Sequence, residues 1–281
     1  MKLPLLFRIY RFTLSITSYV LPNFAGVMSA KRFLTPTRHP RPYWEKNIIK
    51  KGEEKILAND IKSWCWGEGP KILLIHGWNG RGSQLGFFVE PLVNMGFQVI
   101  AIDGPAHGDS PGKRTNLGEF AKKIVSIQSE LGHLYGVIAH SFGCPVIMVA
   151  IDKGFSANKL VLISSPCDLQ EIFDRFTQFM NLSFRSTQYF QAYIEKKAAL
   201  KVKDVQLKEI IAHFQKPILI VHDKNDAEIP YREALKLTEK LKNYEYLYTK
   251  GLGHRRILKS PEVLTRVVSF LNSEQSLNET H

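Results

Sequence analysis

The run Gly136-Val137-Ile138-Ala139-His140-Ser141-Phe142-Gly143 carries an apolar stretch straight into a serine, and helix-compatible residues follow from Pro145 to Ala150. This order predicts a strand, a sharp turn with Ser141 at its apex, and a helix. Small residues are needed two positions before and two after the serine, because the tight turn brings those backbones too close for larger side chains. Ala139 and Gly143 stand there, and alanine in the first place adds one methyl group to the more usual glycine. Such a turn lifts the hydroxyl clear of its neighbours and aims the first N–H groups of the next helix at the oxygen it attacks. One pentapeptide is only moderately specific, so its partners decide the reading.

Four further segments repeat the pattern of an apolar run ending in polar, glycine-rich sequence. Lys71 to Ile75 leads into His76-Gly77-Trp78-Asn79-Gly80, and Phe97 to Ile102 into Asp103-Gly104-Pro105-Ala106-His107-Gly108-Asp109-Ser110. Pro217 to Val221 runs into His222-Asp223-Lys224-Asn225-Asp226, and Tyr244 to Thr249 is followed by Gly251-Leu252-Gly253-His254. The predicted order is strand 61–66, strand 71–75, helix 82–95, strand 97–102, helix 116–131, strand 136–140 and its helix. Strand 159–164, an insertion, strand 217–222, helix 231–242, strand 244–249 and a helix over 261–272 complete it. Alternating strands and helices in 281 residues predict an α/β domain with a mostly parallel sheet flanked by helices.

Taken together, these stretches resemble the α/β-hydrolase family over roughly residues 60 to 275, in the family's own order, and most closely its small bacterial esterase-like members. The resemblance implies a serine hydrolase in which serine, acid and histidine arrive in that chain order. Ser141 is then the nucleophile and His254 the general base. Asp223 and Asp226 are both close enough in sequence to be the acid. The family's Asp-x-x-Asp turn favours Asp226 as the partner of the histidine, leaving Asp223 to cap the turn; Asp168 is a weaker alternative. The oxyanion hole falls to the backbone N–H groups of Trp78 and Phe142. His76, His107 and Asp103 are expected to hold loops.

The serine at the turn disfavours haloalkane dehalogenase and epoxide hydrolase chemistry, which use aspartate there. Esterase, thioesterase and acyltransferase share the triad and stay together at this stage. A non-catalytic module of the same fold, tethering to a membrane or partner, is the alternative from another class. The insertion, about residues 168–215, is expected to be a small helical cap. Its Phe173, Phe176, Phe179, Met180, Phe184, Tyr189, Phe190 and Tyr193 favour a small apolar ester as substrate. No cofactor is called for, and the histidines and three cysteines lack metal-ligand spacing. An odd number of cysteines without framework spacing points to reduced thiols in a cytoplasmic setting.

The formal charge of +12 is unevenly spread. Up to Asn47, eight Lys and Arg stand against the single acid Glu45, so seven of the twelve net charges lie in the first 47 residues. Residues 1–47 are therefore read as a basic extension and 48–281 as the hydrolase domain. Leu5, Ile9, Phe12, Ile16 and Val20 fall on one helical face and Arg8, Arg11, Ser15 and Ser18 on the other, with Pro22 as a stop. A basic amphipathic helix suits the surface of an anionic membrane, so residues 1–30 are expected to make peripheral contact with its inner face. Packing on the body or a partner subunit, or a cleaved or spanning signal, are the other uses. Thr13, Ser15, Thr17, Ser18, Pro22 and Asn23 make a poor spanning helix of 12–30. The cations interleave with aliphatic helix positions and no nucleic-acid motif appears, so no such partner is expected.

Overall fold

A computed structural model describes residues 4–273. Its strands are β1 (Glu53–Leu57), β2 (Ile61–Trp66), β3 (Lys71–Ile75), β4 (Gln98–Ile102), β5 (Gly136–His140), β6 (Lys159–Ile163), β7 (Ile218–Asp223) and β8 (Tyr244–Thr249). They form one sheet in the order β1-β2-β4-β3-β5-β6-β7-β8. β2 is antiparallel to both β1 and β4, and every pairing from β4 through β8 is parallel. The helices are α1 (Leu5–Val20), α2 (Pro22–Phe33), α3 (Tyr43–Lys50), α4 (Val89–Asn94), α5 (Leu117–Leu131), α6 (Gly143–Asp152), α7 (Leu169–Met180), α8 (Phe184–Ala198), α9 (Leu207–Ala212), α10 (Tyr231–Thr238), α11 (Gly253–Arg256) and α12 (Pro261–Asn272).

The central strands are apolar on both faces because helices cover both. Alternate side chains point to opposite layers. Leu73, Ile75, Val137, Leu160, Leu162 and Ile220 pack with Phe120, Ile124 and Ile147 of α5 and α6. Ile72, Leu74, Ile138, Val161, Ile163 and Leu219 pack with Leu92 of α4 and Val263, Val267 and Phe270 of α12. Helix ends are set by capping. The Asn116 side chain accepts from Glu119 N at 2.9 Å to start α5, and that of Asp168 from Gln170 N at 2.8 Å to start α7. Asn181, left-handed at φ 55°, closes α7.

The sheet matches the expected mostly parallel architecture, with local differences. β1 lies outside the expected strands because Glu53, Glu54 and Lys55 mask its pattern. It is the charged edge of a hairpin whose turn, Ala58 and Asn59, has φ of 47° and 71°. The single helix expected over 82–95 is a 3₁₀ segment, Gly82–Phe88, continued by α4. The helix expected over 231–242 ends at Thr238. Between β6 and β7 the chain forms α7, α8 and α9.

The first 47 residues are tied to the sheet-bearing part, and residue 47 itself lies inside α3. Buried Glu45 of α3 pairs with Arg81 at 2.5 Å and accepts from Ser83 Oγ at 2.6 Å. Arg41 reaches Asp103 at 2.7 Å, and Arg38 donates to the carbonyls of Ala106, Ser110 and Gly112. Some of the basic excess is thus structural. α1 stops before Pro22, which begins α2. Among the described residues, no helix is long and apolar enough to cross a membrane.

Candidate active site

Ser141 follows the last residue of β5 and has φ 52°, in the left-handed region that a non-glycine residue occupies at a cost of about 1–3 kcal/mol. The fold holds it there. Ser141 N donates to Ile163 O at 2.9 Å, and Cys144 N donates to Ser141 O at 2.9 Å. Gly143 is required by contact. A Cβ at that position would lie 2.6 Å from Ile75 O and 2.9 Å from His76 O. Gly77 is equally confined, since a Cβ there would lie 2.8 Å from Ser141 Cβ. The small residue after the serine and the glycine of the His-Gly loop are therefore two sides of one tight approach.

His254 is the second residue of α11, just after β8, and its Nδ1 lies 2.8 Å from Asp226 Oδ2. Both residues are buried. Asp226 Oδ1 accepts from Glu228 N at 2.8 Å and Ile229 N at 2.9 Å. Burial pushes the Asp226 carboxyl up, but the imidazole and these N–H groups outweigh it and hold it below the usual carboxylate range. Asp223 faces elsewhere. Its Oδ2 accepts from Thr249 Oγ1 at 2.7 Å and Leu252 N at 3.0 Å, and its Oδ1 from Asn225 N at 2.9 Å. Against the opposing effect of burial, these bonds hold it at about 2. Asp223 fastens the histidine loop to the end of β7.

Three residues without an assigned role in the sequence reading belong to this arrangement. His140 Nε2–H donates to His254 O at 3.0 Å, and burial drives that imidazole down to about 3, so it stays neutral. His222 Nε2 bonds Ile229 O at 2.9 Å and lies 3.8 Å from Asp226 Oδ2. Glu228 Oε2 stands 4.0 Å from His254 Nε2 and pairs with Arg255 at 2.9 Å. No motif distinguishes these residues, because the groups they meet on the histidine loop and the β7 turn come near only when those loops fold together.

On the other side of Ser141, the Trp78 and Phe142 rings meet edge to face at 5.1 Å. Neither residue's backbone N–H is engaged in a hydrogen bond among the described residues. His76 sits behind them. Its Nδ1–H donates to Gly77 O at 2.7 Å and its Nε2 accepts from Gly104 N at 2.9 Å, joining the loops after β3 and β4. Burial holds it neutral, well below the ordinary histidine range. Asp103 accepts from Gly82 N and Asp109 N, each at 2.7 Å, and His107 Nδ1 lies 2.9 Å from Pro105 O. Both brace loops. The three cysteines are buried and unpaired, and burial pushes the Cys144 thiol to about 12.

Ser141 and Trp78 each line two cavities. One, of about 200 Å³, is almost wholly apolar and is bounded by Phe33, Leu34, Leu169, Ile172, Phe173 and Ile194. The other, of about 320 Å³, is mixed in character and contains Asn79, Gln84, His140, Glu228, His254 and Arg255. The serine stands where the two meet. The apolar one takes Phe33 and Leu34 from the N-terminal segment and Phe173 and Ile194 from α7 and α8, residues that no local motif connects.

The sequence model of the alpha/beta hydrolase family matches residues 72–267. Among curated proteins, human Protein ABHD12B is 25% identical over 250 residues, covering 76% of this chain and 66% of its own length. Zebrafish lysophosphatidylserine lipase ABHD12 is 23% identical over 228 residues, covering 73% and 58%. The chain thus spans less than two thirds of these relatives. Among solved structures, an esterase from Pyrococcus furiosus superposes with a TM-score of 0.63 at 20% identity, covering 85% of this chain and 96% of its own. A monoacylglycerol lipase from Paleococcus ferrophilus gives 0.60 at 23%, covering 76% and 98%. These two likenesses concern the fold. With the matched family segment spanning the elbow, both aspartates and His254, the chain belongs to the alpha/beta hydrolase family.

Proposed function

We propose that the protein is a serine hydrolase that cleaves a carboxylic ester or thioester bearing an apolar acyl group. Ser141 Oγ attacks the acyl carbon while His254 takes its proton, and the N–H groups of Trp78 and Phe142 receive the oxyanion. Asp226, bonded to His254 Nδ1, fixes the tautomer and favours the imidazolium. Collapse of the tetrahedral intermediate passes the proton to the leaving alcohol or thiol and leaves an acyl-serine. Water attacks that ester, with His254 again the base, and the carboxylic acid departs with Ser141 restored.

The observation that carries this reading is the position of Ser141 at the meeting of an apolar cavity and a cleft containing the His254–Asp226 pair. The acyl chain occupies the apolar side, and the leaving group and water use the other. The apolar cavity is somewhat larger than the roughly 150 Å³ that admits benzene, a size suited to about six to eight acyl carbons. The name of the zebrafish relative, a lysophosphatidylserine lipase, supports an acyl ester of lipid origin.

The test is hydrolysis of p-nitrophenyl esters of graded chain length. Activity that peaks near the medium chains and is lost in Ser141→Ala is the expected result. Equal rates for wild type and Ser141→Ala would overturn the reading.

A further inference from the structure

α1 carries its polar side inward. Leu14, Ser15 and Ser18 are its buried residues. Asn181 Nδ2 donates to Ser15 Oγ at 2.7 Å, and Ser183 N donates to Ser18 Oγ at 3.0 Å. Ser186 Oγ bridges Ser18 O at 2.9 Å and Pro22 O at 3.0 Å. α2 lies so close to α8 that a Cβ on Gly26 would come within 2.4 Å of Ser186 O. The serines that look like a solvent-facing stripe in sequence are the adhesive to α7 and α8.

The apolar side of α1 consequently faces outward. Leu5, Phe12 and Val20 are 68%, 67% and 72% exposed, and Ile9 and Ile16 lie between them on the same face. At the junction with α2, the strip runs into a shallow groove of Val20, Leu21, Phe24, Val27 and Met28, with Lys31 at its edge. An apolar surface of this extent, on a helix already held by its polar side, marks an interaction site.

Charge identifies what covers it. α1 and α2 contain no acidic residue; of their cations, Arg8 is exposed at the flank of the apolar strip and Lys31 borders the groove, whereas Arg11 lies on the serine side with its guanidinium 5.5 Å from the centre of the Phe179 ring. Glu45, the lone acid of the first 47 residues, is consumed by Arg81. A second copy of the same face would set these cations against their equals with no acid to offset them. An anionic lipid surface satisfies both features, apolar side chains entering the acyl boundary and cations meeting the headgroups. We propose that the outer face of α1 and α2 docks this protein on anionic membranes. The last turn of α2 continues into Phe33 and Leu34 of the apolar cavity, so docking brings that cavity to the lipid. That final step, a membrane-borne acyl ester as substrate, rests on the proposed hydrolase function; the docking does not.

The experiment is vesicle co-sedimentation with Ser141→Ala protein, which separates binding from turnover. The vesicles are phosphatidylcholine, with or without about one third phosphatidylglycerol. Preferential sedimentation with the anionic vesicles, weakened by salt, is expected. Ile9→Asn/Phe12→Ser/Ile16→Ser should lower apparent affinity at least about tenfold with an unchanged melting temperature, since these side chains touch solvent. Arg8→Glu/Lys31→Glu should remove most of the preference for anionic vesicles. Equal sedimentation of the apolar variant and its parent, or no binding at low salt, would overturn the proposal. So would a concentration-dependent dimer in light scattering that the apolar variant abolishes. Loss of ester hydrolysis in wild type with binding intact would count against the hydrolase reading alone.

Discussion

The Nε2 of His140 lies 3.0 Å from the carbonyl oxygen of His254, so the residue before the candidate nucleophile holds the loop of the candidate base. Replacing His140 with Phe keeps a buried ring and removes the donor. The expected outcome is a roughly tenfold fall in kcat with KM within about twofold, because placement of the base is loosened and the acyl site is left alone. The stranded carbonyl should cost about 1–3 kcal/mol in urea unfolding. A loss confined to KM would contradict this positioning role.

The two aspartates of the β7 turn should separate cleanly. Asp226→Asn keeps an acceptor for Glu228 N and Ile229 N but disturbs the imidazole tautomer, so kcat should fall by roughly 10³–10⁴ with little change in stability. Asp223→Asn places donors opposite the Thr249 hydroxyl and Leu252 N–H, and should cost about 1–3 kcal/mol of stability. Its effect on kcat should be much smaller. Steady-state kinetics paired with urea melts checks both, and a reversed pattern would exchange the roles.

Stability should decline below neutral pH. His76, His107, His140 and His222 are buried, and burial lowers each one, His107 to about 4 and His140 to about 3. The unfolded chain binds protons at these sites as pH falls through about 6.5, whereas the folded chain resists; His107 and His140 each contribute a slope of up to about 1.4 kcal/mol per pH unit, and His76 and His222 act in the same direction. The contribution is complete above the ordinary histidine range and is lost toward pH 4. Asp223, held at about 2, adds a further loss below the ordinary carboxylate range, while Asp103, raised by burial, acts in the opposite direction. The urea midpoint should therefore drop between about pH 7.5 and about pH 5. A flat or rising midpoint would contradict the neutral buried state of these histidines.

Phe33 forms one wall of the apolar cavity and packs edge to face on Phe173, Phe176 and Phe190. Phe33→Ala should shift the chain-length optimum of ester hydrolysis upward by about two to four carbons and lower stability by up to about 3 kcal/mol. An unchanged optimum would remove the cavity from the acyl-binding role.

The strands and their loops were legible because parallel strands buried on both faces read as unbroken apolar runs and each ends in distinctive loop residues. Such loops offered Ser141, His254 and two aspartates, and only the family resemblance favoured Asp226; the structure sets Asp226 against His254 while Asp223 turns to Thr249. β1 stayed hidden behind the charges of an edge strand. His140 was hidden because its partner is a backbone carbonyl 114 residues away. The apolar cavity draws on Phe33, Phe173 and Ile194, whose meeting depends on how α2, α7 and α8 pack. For α1, periodicity separated two faces correctly, but the body takes hold of the serine face through Asn181, Ser183 and Ser186, a choice set by partners distant in sequence.

Intact-mass measurement after exposure to a fluorophosphonate tests the central claim most directly. The proposed mechanism predicts one covalent adduct per chain, mapped by peptide sequencing to Ser141, absent from Ser141→Ala and strongly slowed in His254→Ala. No adduct on folded wild-type protein, or an adduct that persists in Ser141→Ala, would contradict it.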